Sequence, residues 1–274
     1  MSPHTWSLLL LLCLDAVTAH EKCISKLIPN TESPVCVCNA SYCDTIPALE
    51  KISSSHYVLY TTSKSGERLK KDVQSFTNSS SSTRSTVVKI NIEKEYQTII
   101  GWGGAVTDAV GININSLSIE AQKKLLESYF SREGLEYNLV RVPIGGTDFS
   151  THLYTYDDGK EDLNLTHFSL SAEDLEYKIP VLKSANSYSN NTLQLLGSAW
   201  YAPDWMKTHN HTNSGYIKTS MYQTWADYHV KFLESYKEHG LNFWGITTGN
   251  EPSFASFMPL EIACNKWQPK QMVC

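Results

Sequence analysis

The triplet Asn250-Glu251-Pro252 carries side chains that are suited to acid–base chemistry on a sugar. It ends the segment 242–252, which reads as a short strand of aromatic and β-branched residues closed by proline. A glutamate at a strand tip can protonate a leaving-group oxygen when its pKa is raised, and an asparagine can hydrogen-bond a sugar hydroxyl without titrating. The triplet therefore suggests the general acid/base of a retaining glycosidase. On its own, an Asx-type turn with a solvated carboxylate is the alternative interpretation.

Further candidate ligands for a sugar lie at or beyond the ends of other predicted strands. Asp148 can accept hydrogen bonds from sugar hydroxyls, and Arg141 can hold carboxylates in place. Flat apolar faces for stacking on a pyranose are offered by Trp102, Trp200 and Trp205. Each tryptophan taken alone is more often a core residue than a ligand, but together at successive strand ends they favour a sugar pocket.

Other chemistries find less support in the sequence. The glycine-rich segment 101–104 is neither a GxGxxG motif nor a P-loop, and there is no Gly-x-Ser-x-Gly nucleophile elbow. His209 and His211 stand beside a glycosylation sequon and are interpreted as loop surface, so no metal or cofactor is expected. A net charge of −5 gives no support for nucleic-acid binding.

The elements that must position these side chains alternate between strand and helix from residue 99 onward. Strands are predicted at 98–102, 138–142 and 192–199 and in the segment ending at Glu251, with helices at 118–130, from Ser171, and at 222–239. Ser118 is the expected N-cap of the first helix, and Ser171 with Asp174 resembles a capping box. Such repeats predict a parallel sheet with right-handed crossovers, and polar strand tips are typical of the catalytic face of a (β/α)8 barrel.

The region before the barrel segment is predicted to be rich in β-structure. Strands are expected at 57–60 and 86–92, separated by a Ser/Thr/Asn-rich surface loop. The predicted organisation is therefore a signal peptide at 1–19, an N-terminal β region at 20–98, and about four β/α units at 99–274.

The N-terminus and the cysteines indicate a secretory compartment. Residues 1–19 combine a leucine-rich run too short to span a bilayer with small residues before a cleavage site, and no later segment resembles a transmembrane helix. No histidine lies within the cluster of four cysteines, so disulfides are favoured over zinc. Three pairings are possible among Cys23, Cys36, Cys38 and Cys43. Cys264 and Cys274 remain as possible free thiols. The five N-glycosylation sequons begin at Asn39, Asn78, Asn164, Asn190 and Asn210.

The chain closely resembles the lysosomal glucosylceramidase (acid β-glucosidase) family from about Cys23 to its C-terminus. The matching segments are 35–43, 101–108, 129–134, 137–143, 148–150, 223–226 and 250–253. The resemblance implies a (β/α)8 TIM barrel, with an accessory β domain that is assembled from both ends of the full-length chain. It also implies Cys23–Cys36 and Cys38–Cys43 pairing, a luminal lysosomal or secreted location, glucosylceramide in membranes as substrate, and a saposin-type activator.

The residue roles implied by the resemblance are specific. Glu251 corresponds to the acid/base, while Asp148, Trp200 and Asn250 correspond to glucose-binding residues. One departure is Gly146-Thr147, where the family carries Ser-Cys. The family nucleophile is a glutamate on the seventh strand, and no residue here matches its motif, so the chain is expected to be an incomplete, N-terminal form. A related glycosidase for another sugar and an inactive secreted sugar-binding protein are the alternatives.

Overall fold

A computed structural model describes residues 22–32, 34–46, 50–76, 88–190, 193–209, 215–252 and 265–267. The predicted signal peptide at 1–19, Cys264 and Cys274 lie outside these residues. Within the described ranges, every helix is too short or too polar to cross a membrane.

Two small antiparallel hairpins form the N-terminal part. Strand β1 (Ser25–Leu27) pairs with β2 (Pro34–Cys36), and β3 (His56–Thr61) pairs with β4 (Lys70–Ser75). Disulfides join Cys23 to Cys36 and Cys38 to Cys43, which is the pairing that the resemblance implies. They close short loops around the first hairpin, where little apolar surface is buried, and so limit the freedom of the unfolded chain.

The strand predicted at 86–92 is wrong for the described residues 88–92. These residues form no strand, and Val88, Ile90 and Ile92 are 78–84% exposed. Their alternation of apolar residues has the period of a strand, but no described strand pairs with them. Alternation of apolar residues in the sequence does not ensure that a neighbouring strand is present.

The barrel segment contains a four-stranded parallel sheet. The strands β5 (Gly103–Ala105), β6 (Leu139–Ile144), β7 (Gln194–Ala199) and β8 (Phe243–Ile246) lie side by side in chain order. Because neighbouring strands are parallel, each crossover must bring the chain back to the end of the sheet at which the previous strand began, as in consecutive β/α units. The predicted α/β class is confirmed.

The first parallel strand begins later than predicted. The segment 98–102 contains no strand, and pairing starts at Gly103 opposite Leu139. A Cβ atom at Gly103 would lie 1.5 Å from the Leu139 carbonyl oxygen, so only glycine permits this close approach. Trp102 therefore lies at the N-terminal end of β5, away from the strand tips.

The helices lie between the strands in the chain and share one hydrophobic core with them. They are α1 (Asp108–Asn115), α2 (Ile119–Phe130), α3 (Ile179–Tyr188) and α4 (Tyr222–Glu238). Ser118 accepts a hydrogen bond from Ala121 N and caps α2 as predicted. Helix α1 was not predicted. It is capped by Thr107, whose side chain accepts from Val110 N.

The predicted capping box at Ser171 is wrong in its geometry. The Ser171 hydroxyl donates to the Asp174 carboxylate at 2.7 Å instead of capping backbone N–H groups. A π-helical turn, Glu173–Lys178, follows and leads directly into α3. The wider turn places Asp174 and Lys178 on the inner side, where both are fully buried.

A buried charge network lies beneath the sheet tips. Lys178 Nζ is 2.8 Å from Asp174 Oδ1 and 3.6 Å from Asp108 Oδ1. Burial, followed by the nearby carboxylates, raises the pKa of the surrounding phenols, which therefore stay protonated and donate to the two aspartates. These phenols belong to Tyr154, Tyr156 and Tyr236.

Candidate active site

Arg141 connects three strands at the carboxyl end of the sheet. It projects from β6, and its Nη2 donates to Ser198 Oγ on β7 at 2.9 Å and to Asn250 Oδ1 beyond β8 at 2.8 Å. Ser198 Oγ is in turn 2.7 Å from Thr247 Oγ1. A planar guanidinium with several donors is suited to fixing such partners at once.

The same guanidinium lies over the indole of Trp200. Its Cζ atom is 4.4 Å from the ring centroid, which is the geometry of a cation–π contact. Trp200 immediately follows β7, so the contact holds its ring at the strand tips. The sequence-predicted residues Arg141, Trp200 and Asn250 are therefore brought into one cluster.

Both candidate carboxylates lie within electrostatic reach of Arg141. Partial burial lowers the pKa of its guanidinium, while Glu251 and Asp148 act in the opposite direction by stabilising the charged form. The two carboxylate residues are exposed to solvent. A cation flanked by two accessible carboxylates and an indole can receive a polyhydroxylated ligand.

Hydrogen bonds extend the sheet beyond the end of β8 and position the Asn-Glu pair. Thr247 N donates to Gly197 O, and Asn250 N donates to Ala199 O, each at 2.8 Å. Gly249 has a φ of 151° and Glu251 a φ of 43°, so the chain turns sharply on both sides of Asn250. Glutamate rarely adopts positive φ, and such strain is found preferentially at functional sites.

Asp148 is carried by a tight turn after β6. Thr147 N donates to Ser150 Oγ, and Phe149 N donates to Thr147 Oγ1, each at 2.9 Å. Ser150 Oγ donates to the buried carboxylate of Asp108, the first residue of α1. The Gly146-Thr147 departure thus supplies a hydroxyl that stabilises the turn.

Two of the three predicted stacking tryptophans do not serve this site. Trp205 is buried in the core and donates from Nε1 to Asp157 O at 2.8 Å, so neither ring face is open to a ligand. Trp102 lies at the opposite end of its strand. Ser198 and Thr247 were missed, because small hydroxyl residues in strands give no sequence signal of their role.

The predicted glycosylation positions fall partly within the described residues. Asn39, Asn164 and Asn190 are exposed, as a glycan acceptor must be. Asn78 and Asn210 lie outside the described residues.

Comparison with known proteins decides the family. Residues 99–272 match the description "Glycosyl hydrolase family 30 TIM-barrel domain". The chain belongs to glycosyl hydrolase family 30. The match covers all four parallel strands and places the sheet in the TIM-barrel fold of that family, which confirms the predicted barrel.

Proteins with different names resemble the chain. Mouse "Lysosomal acid glucosylceramidase" is 38% identical over 255 residues, covering 91% of this chain and 49% of the mouse protein. "Endo-1,6-beta-D-glucanase neg1" of Aspergillus fumigatus is 36% identical and covers 58% of this chain and 36% of that protein. The solved structure of an endo-beta1,6-glucanase is 25% identical, with a TM-score of 0.63, over 75% of this chain and 44% of that one. The chain thus spans about half the length of the mouse relative, and less of the other two.

Proposed function

We propose that this chain carries the acid/base and glucose-binding part of a retaining β-glucosidase that hydrolyses glucosylceramide to glucose and ceramide. The observation that carries the proposal is the Arg141 cluster, which gathers Asn250 and Trp200 at the strand tips beside Glu251 and Asp148. Likeness to the mouse glucosylceramidase supports the choice of substrate.

The contacts of Asn250 support a role in holding a sugar hydroxyl. Its Oδ1 accepts from Arg141, which fixes the amide with the Nδ2 group as the remaining donor. Asp148 is exposed and accepts hydrogen bonds from other hydroxyls. Trp200 presents an apolar surface whose ring is held by the guanidinium. These three residues bind and orient the glucose.

Glu251 then moves the proton. In the first step its carboxylic acid protonates the glycosidic oxygen as ceramide departs, and in the second its carboxylate removes a proton from water. Retention requires a second carboxyl group about 5–5.5 Å away as nucleophile. We assign that role to a glutamate beyond the described residues, and Asp148 keeps its sugar-binding role.

The proposal also includes the setting of the reaction. The exposed sequon asparagines and the two disulfides support passage through the secretory route to the lysosome or outside the cell. We further propose the division into an N-terminal β region at 20–98 and a barrel segment at 99–274. A membrane-bound substrate would be presented by a saposin-type activator.

Substrates with different leaving groups, given to a form of the protein that also carries the nucleophile, test the assignment of Glu251. Glu251→Gln should lose most activity toward glucosylceramide but retain turnover of a dinitrophenyl β-glucoside, because that phenolate departs without protonation. In Glu251→Ala, azide should restore turnover and give a β-glucosyl azide. The matched control is Glu238→Gln at the end of α4. Equal loss on both substrates would refute the acid/base role.

A substrate panel separates the proposal from its alternatives. The family 30 relatives include endo-β-1,6-glucanases, so glucosylceramide should be compared with β-1,6-glucan oligosaccharides. Preference for the oligosaccharides would replace the lipid substrate with a glucan. No turnover of any glucoside, together with measurable glucose binding, would favour the inactive sugar-binding alternative.

A further inference from the structure

Asp157, Asp162 and His167 converge within a compact loop on the surface of the barrel segment. Each offers one ligand atom, and these atoms all lie within 4.8 Å of one another. The loop is closed at its base by a hydrogen bond from Ser169 N to Tyr156 O at 2.9 Å. Leu165 anchors its centre in the core with 1% exposure. The three side chains are therefore held together by a folded loop.

The Asp157 side chain, which contributes one oxygen to this group, is buried and has an unused acceptor. Asp157 is 3% exposed, and its Oδ2 has no hydrogen-bond partner among the described residues. The neighbouring Asp158 carboxylate is occupied by Thr155, from N at 2.9 Å and Oγ1 at 2.6 Å. An unpaired buried carboxylate oxygen is costly, so a positive ligand at this point would be stabilising.

Asp162 and His167 are already oriented toward each other. His167 Nδ1 is 2.8 Å from Asp162 Oδ2, an oxygen that also accepts from His167 N and Thr166 Oγ1. A carboxylate fixed by such donors is a positioned ligand that needs little reorganisation. In a tetrahedral zinc site with bonds of 2.0–2.1 Å, two ligand atoms lie about 3.3 Å apart. That separation is within the spacing of the three groups.

We propose that Asp157, Asp162 and His167 form a binding site for a divalent zinc-like cation. The cation bonds one oxygen of each carboxylate and one imidazole nitrogen, which must carry no proton in order to bind. Water completes the coordination, because the His167 side chain is 81% exposed. The loop follows the Asp148 turn in the chain, and its three ligands are not members of the Arg141 cluster.

The mixed ligand set decides the class of cation. Imidazole with carboxylates suits zinc, whereas calcium takes six to eight oxygens. The charge at the site also favours a cation. Burial, and then repulsion from Asp162, raises the pKa of Asp157 to about 6, whereas His167 and Lys231 lower it. No metal site was predicted from the sequence, since the three residues match no ligand spacing motif.

Equilibrium dialysis of the purified chain against zinc chloride tests the site. Free thiols are alkylated first and disulfides left intact, so that cysteines do not compete. One zinc per chain is expected, with affinity falling at least about tenfold in His167→Gln. The exposed position of His167 makes misfolding of this variant easy to avoid. The matched control is His152→Gln, at another exposed histidine beside a carboxylate, Glu173, and its affinity should be unchanged.

Thermal unfolding of Asp157→Asn gives a second, independent readout. In the presence of a chelator, this variant should unfold at a higher temperature than the original chain, because the repulsion between the buried Asp157 carboxylate and Asp162 is removed. Zinc should not raise the unfolding temperature of the variant further. Absence of zinc binding would overturn the proposal. So would zinc binding that His167→Gln and Asp157→Asn leave intact, or equal affinity for calcium.

Discussion

Arg141 is the side chain on which the candidate site depends most at the scale of single residues. One guanidinium satisfies Ser198 and Asn250 and also covers Trp200. Loss of any one of these contacts changes the position of a residue that is proposed to bind the sugar. Misplacement of this kind affects rate strongly even when the reacting groups remain.

In a form of the protein that also carries the nucleophile, Arg141→Lys should therefore lower kcat/KM for a β-glucoside by about 10–100-fold with little change in thermal stability. Lysine keeps the charge but loses the planar stack on Trp200 and the second directed donor. Steady-state kinetics and a melting curve measure the two effects. Arg132→Lys, at an exposed position, is the control and should retain full activity. Unchanged kinetics in Arg141→Lys would contradict the positioning role.

The backbone at Glu251 gives a second prediction for a single residue. Its φ of 43° is unfavourable for any residue with a Cβ atom. Glu251→Gly should therefore be more stable than Glu251→Ala by about 1 kcal/mol, although glycine ordinarily destabilises a folded chain relative to alanine. Both variants lack the carboxylate, so the comparison isolates the backbone. Chemical denaturation measures it, and a less stable glycine variant would show that this turn is unstrained.

At the scale of elements, the π-helical turn before α3 decides where two charges are buried. It directs Asp174 and Lys178 to the same inner surface, beside Asp108 at the start of α1. The turn therefore links α1, α3 and, through the Tyr236 hydroxyl, α4. Because Asp108 also accepts from Ser150, this network supports the turn that carries Asp148.

Lys178→Met should destabilise the chain by about 3–5 kcal/mol, because it leaves two buried carboxylates without a cation. Adding Asp174→Asn should restore part of that loss, which a double-mutant cycle measures. Lys183→Met, exposed on α3, is the control and should change stability little. Equal stability of Lys178→Met and the control would mean that the lysine is not required to balance the aspartates.

Of the described elements, the sequence predicted three of the four α-helices and three of the four parallel strands, and the reason is physical. Helix α2 has a cap and an apolar face that are both local properties, so Ser118 was sufficient to locate its start. The start of β5 depends instead on how closely Gly103 approaches Leu139, a residue far away in the chain. The π-helical turn likewise depends on partners in other elements.

The candidate site was predictable to a similar extent. Positions at predicted strand ends identified Arg141, Trp200 and Asn250, and the structure brings these three together. They could not show that Trp205 is a core residue, because burial is decided by the packing of distant segments. The hydrogen bond that fixes the Asn250 amide also joins residues that are 109 positions apart.

At the scale of the whole molecule, the segment 88–100 presents an apolar surface. Ile90 and Ile92 are 83% and 84% exposed, and Ile99 is 65% exposed. Among the described strands, β5 and β8 each have one neighbour, so their outer backbone groups face no described strand. Exposed apolar residues and free strand edges favour association.

The 274-residue chain expressed alone should therefore self-associate at micromolar concentration. Light scattering coupled to size-exclusion chromatography should give a mass above that of a monomer, and the double substitution Ile90→Lys with Ile92→Lys should lower it. Ile119→Lys changes an exposed isoleucine on α2 and serves as the control, with no expected effect. A monodisperse monomer of the original chain would contradict this prediction.

The hydrogen bond from Asn250 N to Ala199 O also determines how slowly an amide proton exchanges with solvent. Amide protons of loop residues normally exchange with deuterium quickly, but Asn250 and Thr247 are tied to the backbone of β7. Their exchange requires the separation of β7 from the chain that follows β8, an opening much rarer than loop motion. The donor next to Glu251 is therefore expected to retain its proton for about as long as the strand interior does.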